Sequence, residues 1–300
     1  MTARKLLFGL FALALFVVAL LGGPGVSAGA VGAVGASAPP AWLNRINEFR
    51  GAGGLPPVEE NGGWSQGALR HSLYMVANSE LAHGERTGGH FSSTEGNAAG
   101  SHGNVFASSD PYVPDVGVID AWMASPLHAL HLLRPSLRAV GYGIWRDALP
   151  PGSFGAAATL DVLHGAALGA RVPRPMAYPY PGAQLPITTT SGLEMCGGGV
   201  AGPVSFFFHP QNPTVTGFLV TVNGVAAPLC VVTSGNFLRP GEDPTTWRQM
   251  LAADGVVLVI PRDPVPAGSV VNVGLATREF GTTWTNYTVR GDGAVVIPQP

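Results

Sequence analysis

Six of the eight histidines fall in the first half of the chain: His71, His83, His90, His102, His128 and His131. Histidine is the usual acid or base near neutral pH and the commonest metal ligand, so such a grouping points to proton transfer or cation binding. Each position also has a plainer reading. His71 sits in a helical stretch and shares a face with Trp64, Ala68 and Met75, where a buried histidine normally just satisfies a hydrogen bond. His83 and Glu95 stand in Gly-rich surroundings that read as loop, where such side chains are usually solvated. His128 and His131 are three residues apart on a short helix; they could hold one ion together, or His131 could face solvent.

Other catalytic patterns are missing or out of context. HExxH and GxxxxGK[ST] are absent. A GxSxG match at residues 25–29 lacks the strand–turn–helix setting of a nucleophile elbow. A GxGxxG match at Gly197, Gly199 and Gly202 runs into Pro203 and a β-rich segment where a dinucleotide site needs a helix. A net charge of −2, with Lys5 as the only lysine, gives no electrostatic case for nucleic acid.

The elements that must position these residues divide the chain. Arg4 and Lys5, the apolar run 6–21 and Val26-Ser27-Ala28 read as a secretory signal peptide with cleavage near Ala28, the competing reading being a retained membrane anchor. The run is short for a spanning helix, so no transmembrane segment is expected after cleavage. Residues 29–40 are a low-complexity lead-in. Residues 41–168 carry helical periodicity at 41–49, 65–81 and 115–123, a short helix after Ser125-Pro126, then strands at 139–145 and 155–163 across a turn at 150–152. A Pro- and Tyr-rich linker is expected at 169–187. Residues 188–300 alternate short β-rich segments with turns, and only 244–253 reads as helix, the pattern of a β-sandwich. Export places Cys196 and Cys230 in an oxidising compartment, where they form one disulfide or remain as buried thiols.

The order of motifs resembles the CAP superfamily of cysteine-rich secretory, antigen 5 and pathogenesis-related proteins, in its bacterial branch. The matching pieces are His71-Ser72-Leu73-Tyr74-Met75, then His83, Glu95-Gly96-Asn97, Trp122-Met123-Ala124-Ser125-Pro126-Leu127-His128, and Val140-Gly141-Tyr142-Gly143. The resemblance implies an α+β fold: an α-β-α sandwich, here followed by an all-β region similar to immunoglobulin-like modules. It implies a cleft with His83 and His128 as ligands of a divalent cation, zinc or magnesium, and Glu95 beside them, with His71 directed into the same cleft. The family's second glutamate has no counterpart at Ala124-Ser125. The expected function is an extracellular or cell-surface binding module for a small molecule, lipid or envelope component. The alternative is a metal-dependent hydrolase with Glu95 as general base.

Overall fold

The computed structural model describes residues 38–147, 153–191, 193–241 and 243–291. The expected signal peptide, most of the lead-in and the turn at 150–152 lie outside them. Helix α1 (Ala41–Ala52) buries Trp42, Leu43, Ile46 and Phe49 on one stripe, as the spacing predicts. Strand β1 (Glu59–Glu60) leads into α2 (Gly62–Asn78). This helix starts earlier than its apolar run because the Asn61 side chain accepts from the Gly63 and Trp64 amides. Then come α3 (Thr94–Ser101), β2 (Gly103–Ser108), α4 (Asp115–Met123), α5 (Pro126–Leu133), β3 (Ala139–Arg146) and β4 (Ala156–Asp161).

These strands form one sheet in the order β1-β3-β4-β2, antiparallel except for β1 on β3. Every residue of β2 and β4 is buried, so the sheet is covered on both faces. Period-two alternation divides the side chains. Phe106 and Ala158 join the core with α1, α4 and α5, while Val105, Ala107 and Ala157 meet Tyr74, Met75 and Val76 of α2. That is the expected α-β-α sandwich. Gly141 and Gly143 explain the tight fit of α2 on β3. A Cβ at Gly143 would lie 2.2 Å from the Leu69 nitrogen, and one at Gly141 would lie 2.4 Å from Trp64. Glycine is required there for close approach of helix and strand.

The rest is β-rich. Its strands are β5 (Met176–Tyr178), β6 (Ala183–Leu185), β7 (Thr190–Ser191), β8 (Val200–Ala201), β9 (Ser205–Phe208), β10 (Val215–Val222), β11 (Val225–Ala226), β12 (Leu229–Val232), β13 (Val256–Pro261), β14 (Val270–Thr277) and β15 (Gly281–Val289). One helix, α6 (Thr245–Asp254), interrupts them. A five-stranded sheet runs β11-β10-β14-β15-β6 and a four-stranded sheet runs β12-β13-β9-β5. Their inward side chains share a core, and the Ser205 and Tyr287 hydroxyls hydrogen-bond across it. Cys196 and Cys230 form a disulfide.

Residues 169–187, expected as a linker, contribute an edge strand to each sheet, β5 and β6. The physical reason is the buried aromatic ring of Tyr178, which packs edge-on against Phe206. The described residues from Pro39 onward form one compact unit, with a core continuous from Trp42 to Val289. Polar ties run across it. The Tyr180 amide donates to the Ala52 carbonyl at 2.8 Å and the Ser191 amide to the Ala124 carbonyl at 2.7 Å. Among the described residues no single helix is long and apolar enough to cross a membrane.

Candidate functional site

His71 is fully buried on α2. Its Nε2 lies 2.8 Å from the Ala82 carbonyl, which can only accept, so Nε2 carries a proton. Its Nδ1 is hydrogen-bonded with Glu85 Oε1 at 3.0 Å, and Glu85 Oε2 accepts from the Ser93 amide at 2.6 Å. His71 therefore braces the 82–85 segment from behind.

Glu95 is not in a loop. Ser93 caps α3 by accepting from the Gly96 amide, and Glu95 sits exposed on the first turn. The Gly-rich composition concealed a short capped helix. Glu95 does not line the cavity described below. Its neighbours serve Glu85 instead. The Glu85 amide donates to Asn97 Oδ1 at 2.8 Å, and a Cβ at Gly96 would lie 2.2 Å from Glu85 Oε1. The buried carboxylate of this corner is thus Glu85.

His83 and His128 do come together. They line a cavity of about 530 Å³ with His131, Asn104 and Ser125. The His83 Nδ1–H donates to the Gly100 carbonyl at 3.1 Å, which leaves Nε2 unencumbered. Ser125 precedes α5 but its hydroxyl pairs with His128 Nδ1 at 2.9 Å instead of capping the helix. Asn104 joins β2 to α5. Its Nδ2 donates to the His128 carbonyl at 3.2 Å, and its Oδ1 accepts from His131 Nδ1 at 2.9 Å.

Burial, with the charges of His83 and Arg239 nearby, pushes His128 down to about 4. Burial also holds His131 well below the ordinary histidine range, with Arg134, His128 and His83 adding to the effect. Both imidazoles are neutral at neutral pH.

The opposite wall belongs to the β-rich region: Ser191, Leu193, Glu194, Phe237, Leu238, Arg239 and Trp247. Trp247 on α6 stacks on His131 with ring centroids 5.9 Å apart and planes 10° from parallel. Glu194 rides on a single 3-10 turn (Glu194–Cys196) that the disulfide fastens to β12. Sequence reasoning missed this wall. The available signal was the amphipathic helix at 244–253, whose tryptophan had no assigned partner.

The donors suit a resident metal poorly. Among the described residues no group of three or more His, Cys, Asp or Glu is placed to hold one. Two imidazoles alone fall short of the three protein ligands of a typical catalytic zinc site.

Residues 43–148 match the model of the cysteine-rich secretory protein family, CAP. The chain carries a CAP domain. The match takes in α1 through β3, and so the CAP-side wall of the cavity. Among solved structures, the chain is similar to an extracellular protein containing a SCP domain from Bacillus anthracis str. Ames. That likeness has 20% identity and a TM-score of 0.30, covering 40% of this chain and 38% of the other. No curated protein matches the sequence.

Proposed function

We propose that this is an extracellular binding module whose ligand is a small amphipathic molecule held between the CAP domain and the β-rich region. One observation carries the reading: the CAP histidines open onto a cavity whose other wall is built by the rest of the chain. The size is in the range of small-molecule sites, and an apolar wall with a few convergent polar groups is the composition such sites share. His83, His128 and Asn104 supply the polar side, while Leu81, Leu127, Leu193, Phe237 and Trp247 supply the apolar side. Export rests on the N-terminal sequence pattern. A hydrolytic reading lacks geometric support, since Glu95 lies outside the cavity.

An NMR fragment screen on the exported chain tests this. Amphipathic fragments should shift His83 and Trp247 resonances together. Ser191→Phe, which fills the cavity from its rim, should abolish those shifts without unfolding the protein. An absence of hits, or hits indifferent to Ser191→Phe, would overturn the proposal.

A further inference from the structure

On the five-stranded sheet Val220, Val273 and Thr285 are buried, so their strand neighbours Leu219, Gly274 and Trp284 point to the outer face. These three stand opposite one another across β10, β14 and β15. Trp284 is 54% exposed. A Cβ on Gly274 would lie 2.5 Å from Cζ3, 2.7 Å from Cη2 and 2.8 Å from Cε3 of its indole. The six-membered ring therefore lies across the glycine and leaves its other side to solvent. A ring laid over a cross-strand glycine steadies the strand pair, but that role occupies only one side of the indole.

The next row along the sheet aligns Thr221, Asn272 and Asn286. It lies two residues away, about 7 Å at the rise of an antiparallel strand. Asn272 Nδ2 donates to Thr221 Oγ1 at 3.3 Å, and Asn286 Oδ1 accepts from the Gly182 amide at 3.1 Å, so both amides are held in place. No residue of β10, β14 or β15 is charged. Such a face complements a neutral, hydroxyl-rich partner and offers nothing to an ionic one. A β-1,4-linked pyranose with equatorial substituents matches both rows. Its axial C–H bonds make an apolar face for the indole, and its edge carries hydroxyls for the amides.

We infer that the outer face of this sheet binds a neutral β-1,4-linked glycan, with one sugar ring stacked on Trp284 and its hydroxyls bonded to Asn272 and Asn286. None of these residues lines the cavity, so the inference does not depend on the cavity being a ligand site.

The test is an NMR titration of the isotope-labelled exported chain with two neutral glycans of this linkage, cellohexaose and N-acetylchitohexaose. The Trp284 indole N–H and the Asn286 side-chain amide should shift together with at least one of them, while the Trp247 indole N–H stays in place. Trp284→Ala should weaken binding at least about tenfold, the scale of a lost aromatic anchor. Trp284→Leu, which still covers Gly274 but has no flat ring, should lose as much, and Trp284→Tyr should keep part of the affinity. Trp284 is exposed, so these variants should fold. No shift of Trp284 with either glycan at about 10 mM, a weaker affinity than the millimolar level, would overturn the inference. Affinity that survives in Trp284→Leu would overturn it too. Shifts of Trp284 on changing the protein concentration alone would assign the face to a second copy of the chain and likewise overturn it. All three outcomes leave the cavity reading standing.

Discussion

Arg134 donates from Nε to Asp254 Oδ2 at 2.9 Å, with the two side chains only 3% and 8% exposed. The pair joins the residue after α5 to the last residue of α6, and so fixes the two walls of the cavity to each other. Removing one partner of a buried ion pair strands the other charge. Asp254→Ala should therefore cost about 3 kcal/mol in urea unfolding, at the low end for a buried pair. Since one core runs through both regions, unfolding should stay a single transition in this variant.

Glu85 and Glu95 should behave in opposite ways. Glu85 pairs with fully buried His71 and receives the Ser93 amide. Glu85→Ala should destabilise by about 3 kcal/mol. Glu95→Ala, on an exposed first turn, should stay within about 0.5 kcal/mol. Parallel urea curves for the two variants check this, and an equal loss from both would contradict the placement of these carboxylates.

The disulfide closes a loop with a sequence separation of 34 residues. Restricting a loop of that size in the unfolded chain is worth about 4 kcal/mol on the chain-entropy model. The Cys196→Ser/Cys230→Ser double variant should lose stability on that scale. It should also weaken ligand binding, because the bridge anchors the turn that carries Glu194 to the cavity rim.

Acid should destabilise the protein partly through His128. Its folded pKa, about 4, lies below the ordinary 6.5, so the unfolded chain takes up the proton first. This contribution is complete above about pH 6.5 and is lost as the pH falls towards 4. His131 adds an effect of the same sign. His128→Asn should flatten the decline in urea midpoint between pH 7.5 and 5, and an unchanged slope would show that His128 is not held neutral by the fold.

Chelation should be inert. Two imidazoles without a third protein ligand among the described residues fall short of a typical zinc site. The melting temperature should be the same before and after dialysis against EDTA, and a fall of several degrees would expose a metal contribution.

The helices other than α3, and the strands of four or more residues other than β2, were legible because their signals are local. Apolar spacing marked α1, and the β-rich run at 139–145 ahead of a turn marked the strand under α2. The second region's alternation of short β-rich segments and turns, with one helix near 244–253, was legible for the same reason. Glu95 was misplaced because glycine content outweighed the Ser93 cap. His71 looked like a cleft residue by motif but is closed off by Ala82 and Glu85, a tertiary fact that spacing does not carry. Least legible was the second wall. Glu194, Arg239 and Trp247 reach the CAP histidines only through the docking of the β-rich region, and nothing local ties them to His83 or His128. The expected linker concealed that docking, since its prolines and tyrosines resemble those of a hinge until Tyr178 is seen in the core.

The central claim is that both walls hold the ligand. Measuring the affinity of one bound probe for His83→Ala and Trp247→Ala, each checked for native stability, tests it most directly. The account predicts that each variant loses about tenfold, as expected when a truncated side chain lines the bound ligand. Full affinity in Trp247→Ala alongside a loss in His83→Ala would put the ligand on the CAP domain alone and contradict it.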